Sequence, residues 1–149
     1  MELQIEYPLD YMQDLYALLG VSSDDLSEDD IITLPFAGTA ELNLIELVPN
    51  AKAILEDTAT AESTKIKLTI AFINLIAYYV YPSLKTKLLY SESDNKTIGT
   101  RFKDALSRDR NEFKAEAIRQ ISSTGISSTI SGYSLFEVVT PAIDVISGV

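Results

Sequence analysis

Ser63-Thr-Lys-Ile-Lys-Leu-Thr-Ile-Ala-Phe-Ile-Asn-Leu-Ile-Ala-Tyr-Tyr-Val-Tyr81-Pro82 is the stretch that decides how this chain folds. It is the most apolar run in the protein, and no charge interrupts it from Leu68 to Leu84. A bilayer span needs about 20 apolar residues, whereas this run holds Asn74, Tyr78, Tyr79, Tyr81 and Pro82. A buried core helix is the better reading. Thr60 is placed to cap its start, and Glu62 in the first turn suits the positive end of the helix dipole. Pro82 disfavours helical geometry at Tyr81 and predicts a stop or kink there. Ile66, Ile70, Ile73, Ala77 and Val80 form one apolar face, and Leu68, Phe72, Ile76 and Tyr79 form another. A helix that is apolar nearly all round must be covered nearly all round. The cover has to come from every other helix of the chain or from a neighbouring subunit.

A length of 149 residues with 46% hydrophobic content is enough for one domain with a substantial core. The chain has no cysteine, histidine or tryptophan. Disulfides, cysteine-ligated zinc and any mechanism built on imidazole or thiolate are therefore excluded. The acidic start Met1-Glu-Leu-Gln-Ile-Glu6 lacks the cationic region of a secretory signal, so cytoplasmic assembly is expected. The net charge of −10 is unevenly distributed. Residues 1–62 hold fourteen acids and one base, Lys52, while the remainder holds eight acids and eleven bases. This split predicts two electrostatically different sides. The overall acidity argues against ordinary nucleic-acid binding, which needs a surplus of Lys and Arg against phosphate.

Working outward, Pro8 is tolerated in a first helical turn. Leu15, Leu18 and Leu19, with Tyr11 or Met12, then line one face of a short helix that Gly20 ends. In Ser22-Ser-Asp-Asp-Leu-Ser-Glu-Asp-Asp30, Ser22 with Asp25 and Ser27 with Asp30 have capping-box spacing. A calcium loop would need a central glycine and a glutamate at its twelfth position, and both are missing. Capped turns on a solvated face fit better. Thr39 is a candidate cap for a helix over 40–48 with Leu42, Ile45 and Val48 inward, ended by Pro49. Residues 50–59 read as a short, partly helical connector. Beyond Pro82, Leu84, Leu88 and Leu89 either continue a kinked helix or begin an extended arm, and residues 91–99 read as an exposed polar loop.

The last long helix is expected over about 100–121, with Phe102, Leu106, Phe113, Ala117 and Ile121 on one face and Ala105, Asp109 and Ile118 alongside. Its other face carries Arg101, Lys103, Asp104, Arg108, Arg110, Glu112, Lys114, Glu116 and Arg119, with Asp104 and Arg108 at favourable i,i+4 spacing. Such a face is either simply solvated or meets an acidic partner, including the acidic half of a second copy. The Ser/Thr/Gly-rich run 122–133 reads as a linker. It leads to the β-prone Ser134-Leu-Phe-Glu-Val-Val-Thr140 and then Pro141. This apolar end either folds back on its own core or adds a strand to a partner, and the linker's reach favours a partner. The expectation is therefore a mostly α chain: a bundle of four to five helices over 1–121 with an extended tail over 122–149.

No catalytic constellation is present. Triads of the usual kinds lack their histidine or cysteine, Gly125-Ile-Ser-Ser-Thr does not complete a nucleophile elbow, and no phosphate-binding or dinucleotide glycine motif occurs. Aspartates holding magnesium remain a formal alternative. The sequence predicts a protein that acts by binding and assembly, without a cofactor.

The order of features resembles the head–tail connector (adaptor, or head-completion) proteins of tailed phages. The resemblance rests on the helix end Tyr16-Ala-Leu-Leu-Gly20 and the acidic turn running into Asp29-Asp-Ile-Ile-Thr-Leu-Pro35. It continues through Ala40-Glu-Leu and Leu47-Val48-Pro49 to the apolar helix closing at Tyr81-Pro82 and the charged last helix. It covers residues 9–121, leaving the tail aside. It implies a small helical subunit of a virion ring, commonly twelve copies, under the portal at the head–tail junction, assembled in the host cytoplasm. Such a ring extends the DNA channel, lets DNA pass without specific binding, and docks the next neck or tail component. On this reading Tyr133, Leu135, Phe136, Val138, Val139 and Ile143, with Arg101, Arg108 and Arg110, are the candidate partner or subunit interface. Asp24, Asp25, Glu28, Asp29 and Asp30 are the candidate acidic channel or subunit face. The rival class is a small acidic DNA mimic or inhibitor. The fourteen N-terminal acids support it, but it has little use for a basic helix.

Overall fold

The computed structural model describes residues 3–8, 10–33, 35–94 and 107–128, with side chains described for all of these except 32, 33 and 89–94. The described residues form a mostly α bundle of six helices: α1 (Tyr11–Leu19), α2 (Glu28–Thr33), α3 (Phe36–Leu47), α4 (Ala51–Glu56), α5 (Glu62–Asp94) and α6 (Arg110–Ser123). At 33 residues, α5 is the axis of the molecule, about 50 Å long at 1.5 Å per residue. The other helices are laid against it, α6 most extensively, then α3 and α1. Leu68, Ala71, Phe72, Leu75, Ile76 and Ala77 are all fully buried. By length and composition residues 62–88 could cross a bilayer, but most of their apolar window is buried inside the protein. The chain itself covers both apolar faces of the centre of α5, so no neighbouring subunit is needed there.

The polar groups of this interior are satisfied locally. Thr69 Oγ1 donates to the Lys65 carbonyl at 2.9 Å, and Asn74 Nδ2 donates to the Ile70 carbonyl at 2.9 Å. Glu41, also buried, accepts the backbone N–H groups of Gln4 and Ile5 at 2.9 Å each. That carboxylate pins the N-terminal segment across the bundle as a strap. Ile5 is buried, and Tyr7 stacks flat on Phe72 with ring centroids 3.9 Å apart, while Tyr11 meets Phe72 edge-on at 5.5 Å.

Several local expectations are corrected. α1 begins at Tyr11, with Asp10 rather than Pro8 at its boundary. Its end is as expected: Gly20 takes the left-handed conformation (φ 68°) that a residue without Cβ adopts at little cost. α3 begins at Phe36, and Thr39 lies inside its first turn, donating its N–H to the Pro35 carbonyl. The earlier start rotates the inward stripe to Ala37, Ala40, Glu41, Leu44 and Leu47, and leaves Leu42 50% exposed. Thr60 does not cap α5; its hydroxyl donates to Asp57 Oδ2 in the preceding turn. Of the two continuations open beyond Pro82 the helical one is taken: α5 continues through Pro82 to Asp94, so residues 91–94 are helix rather than loop. A helix-interior proline costs about 3 kcal/mol, but Leu84 and Leu88 beyond it are buried, worth about 1.5–3 kcal/mol each. α6 begins at Arg110, capped by Asp109, whose side chain accepts the Asn111 N–H at 2.9 Å. Residues 100–106, including Arg101, Phe102, Asp104, Ala105 and Leu106, lie outside the described residues.

Two outcomes follow from the strap. Glu41→Ala removes the acceptor of two backbone N–H groups and should cost about 2 kcal/mol, read as a lower urea midpoint. Burial, then the nearby Glu41 charge, raises the Tyr7 phenol far above its ordinary value near 10. A phenol held neutral in the folded state contributes fully below pH of about 10 and progressively less above it, because the unfolded chain ionises first. Alkaline titration of stability should therefore fall above pH about 10, by up to about 1.4 kcal/mol per pH unit for this group. Tyr7→Phe should flatten that slope.

Candidate interaction surfaces

The acidic run is a rigid, doubly capped element. The Asp25 carboxylate accepts from both the backbone N–H and the hydroxyl of Ser22, at 2.9 and 2.8 Å. Ser27 Oγ accepts the Asp30 N–H at 3.1 Å and so caps α2. Asp24, Glu28 and Asp29 are exposed. Asp30 instead faces Lys87 of α5 at 3.9 Å. Between this element and α5 lies a mainly apolar groove of about 250 Å³ lined by Leu26, Phe36, Val80 and Leu84, with Asp30 and Lys87 at its rim. The five acids proposed from sequence thus share one element, but only some of their carboxylates face outward.

The two described arginines of the proposed interface do different jobs. Arg108 is a brace: its Nη1 donates to the Leu18 carbonyl at the end of α1 at 3.0 Å, its guanidinium lies 5.9 Å from the Phe113 ring centre, and its own carbonyl accepts the Tyr81 hydroxyl at 2.7 Å. Burial raises the Tyr81 phenol while the adjacent Arg108 charge opposes the shift. Arg110 faces outward over Tyr78, 4.5 Å from the ring centre, and donates to the Tyr78 hydroxyl at 2.8 Å. Lys114 approaches the same ring at 5.6 Å. Arg108 and Arg110, with Lys85, border a shallow groove of about 410 Å³ whose lining is completed by Tyr81, Pro82 and Asp109. Among the described residues no carboxylate forms an ion pair with Lys85, Arg108, Arg110 or Lys114. Arg119 differs: it bonds Glu116 at 2.8 Å, which holds the Glu116 carboxyl below its ordinary range.

Sequence reasoning placed Lys114 on the charged face with Arg108 and Arg110 but missed Tyr78 and Lys85 as members of this surface. The signal was present: Tyr78 and Lys85 are seven residues apart and Arg110 and Lys114 four, so each pair sits on one helical stripe. It also missed Glu41, which becomes an inward position only once α3 is started at Phe36. Tyr133, Leu135, Phe136, Val138, Val139, Ile143 and Arg101 lie outside the described residues. Among the described residues, no three acidic or other metal-ligating side chains gather into a cluster. Comparison of the chain with models of protein families, with curated proteins and with solved structures returned no match.

The two arginines should separate on substitution. Arg108→Ala removes the brace between α1 and the 107–109 segment and should lower stability by about 1 kcal/mol. Arg110→Ala should stay within about 0.5 kcal/mol of the parent, as expected for a surface position. Urea titration followed by far-UV circular dichroism distinguishes the two.

Proposed function

We propose that this protein is a structural subunit of a tailed-phage neck that self-assembles into a ring under the portal, extends the DNA channel and docks the next neck or tail component. It works by binding rather than catalysis, at the head–tail junction of the virion after assembly in the host cytoplasm. The phage assignment rests on the resemblance of residues 9–121 described above. The observation that carries the binding role is the division of the surface on one helical body: an acidic, doubly capped turn on one element and a cationic, tyrosine-rich groove on another. A DNA mimic needs the first and has no use for the second.

Ile126 still packs against the core, and Lys67 Nζ donates to the Ser123 carbonyl at 3.0 Å. The described body therefore reaches past the boundary expected after residue 121, and a tail truncation belongs after Ser128. Incubated with its cognate portal ring, the full-length protein should co-sediment and add a disc of density in negative-stain images. A protein that stays monomeric and leaves the portal bare would sink this reading. The chain truncated after Ser128 should keep its helical spectrum but lose attachment; loss of helicity would instead assign residues 129–149 to the core.

A further inference from the structure

We infer that the groove between the second half of α5 and the start of α6 is a receptor for the acidic Ser22–Asp30 turn of a second copy of this chain, giving a head-to-tail contact. The inference deepens the self-assembly part of the reading above and does not depend on the portal.

Three observations carry it. The first is placement. The α5 residues beside the acidic element are Val80, Ser83, Leu84 and Lys87, and those lining the cationic groove are Tyr81, Pro82 and Lys85. At 100° per residue the two sets point roughly 150° apart around the helix. The acidic element and the groove thus lie on opposite flanks of one rod. Two different patches on opposite flanks make a heterologous contact, in which each copy gives one surface and receives on the other.

The second is the state of the charges. In a chain of net charge −10, Lys85 and Arg110 line the groove and Lys114 shares the Tyr78 ring with Arg110, with no carboxylate in an ion pair with them among the described residues; Asp109, the carboxylate in the lining, is engaged as the cap of α6. Arg110 is held in place by the Tyr78 ring and hydroxyl, so its guanidinium is oriented before any partner arrives. On the other element, the Asp25 carboxylate is taken up by Ser22 and the Asp30 carboxylate by Lys87, whereas Asp24 and Glu28 are exposed. Asp24 and Glu28 are the carboxylates offered to the groove.

The third is preorganisation. Isolated surface ion pairs contribute about 0–1 kcal/mol because two long side chains must be ordered. Here the acidic turn is closed by its own serines, and the receiving arginine is stacked on tyrosine, so part of that ordering cost is already met. Tyr81 and exposed Pro82 in the lining, with half-buried Tyr78 beneath Arg110, supply the apolar contact that charge alone lacks. Tyr and Arg are also the side chains that concentrate in interface hot spots.

The test is a charge exchange on the full-length chain, followed by sedimentation velocity at low and high ionic strength. The parent should self-associate at low salt and dissociate as salt rises. Lys85→Glu/Arg110→Glu and Asp24→Lys/Glu28→Lys should each lose association at least tenfold while keeping the parent's helical spectrum. Mixed in equal amounts they should recover it, because an acidic groove then faces a basic turn and the reverse. If Arg110→Glu unfolds, Lys85→Glu alone against Asp24→Lys gives the same reading at exposed positions. A parent that stays monomeric at low salt overturns the inference. So does association unaffected by either variant, failure of the mixture to reassociate, or a groove that takes up short duplex DNA in preference to a second copy. Recovery on mixing without portal binding would leave this contact standing and remove only the neck assignment.

Discussion

The structure depends on one constraint: from Leu68 to Ala77, α5 has almost no side that tolerates water. Leu68, Phe72 and Ile76 on one side and Ile73 and Ala77 on another are all buried, and each of the remaining elements is placed by the surface it has to cover. α6 lies along α5 with Phe113, Ala117 and Ile121 inward. α3 contributes Ala40, Leu44 and Leu47, and α1 contributes Met12, Leu15 and Leu19. The strip left over Phe72 is closed by Tyr7 of the strap. Burying one large apolar side chain is worth about 1.5–3 kcal/mol, so this packing outweighs the local preferences of any single turn.

That hierarchy separates what could be read from the sequence from what could not. The axis helix, its apolar all-round character, the Gly20 stop and the Ser27 cap were legible because each rests on local chemistry that nothing overrides. Beyond Pro82 the sequence left a continued helix and an extended arm both open, since a local penalty of about 3 kcal/mol is offset by burial at Leu84 and Leu88, which only the assembled bundle supplies. The same applies to α3. Thr39 is a sound cap in isolation, yet starting the helix at Phe36 puts Ala37, Ala40 and Leu44 into the core. That register also buries Glu41, and the strap's N–H groups are what make a buried carboxylate tolerable there. For the surfaces, the separation of charge along the chain was visible. The division of labour between Arg108 and Arg110 was not, because it depends on where Leu18, Phe113 and Tyr78 come to lie.

Self-sufficiency of the core bears on what kind of assembly the protein can make. Had one face of α5 been left bare, association would be an extension of folding, apolar and obligate, and an isolated subunit would be unstable. The described helices instead close their own core, so a contact between copies made through them falls at the rim. There the available groups are carboxylates on a capped turn, cations held over tyrosine, and a few half-buried rings. A contact of that composition is weakened by salt, faster to form than a neutral one because opposite charges steer the encounter, and reversible at the level of one interface. Stability would come from repeating the contact around a closed assembly, and not from the strength of any single junction.

The same composition bears on direction. A patch that pairs with itself about a two-fold axis brings like charges face to face, which an acidic turn or a cationic groove alone disfavours. With the two on opposite flanks of α5, a symmetric dimer would be penalised and the proposed head-to-tail contact would be the favoured one. Whether such a chain of contacts closes depends on the angle between the flanks, and that angle is set by α5, the one continuous helix that carries both. The continuation of α5 through Pro82 therefore affects more than the fold. It keeps Lys85 on one flank and Lys87, paired with Asp30, on the other, as parts of a single continuous helix.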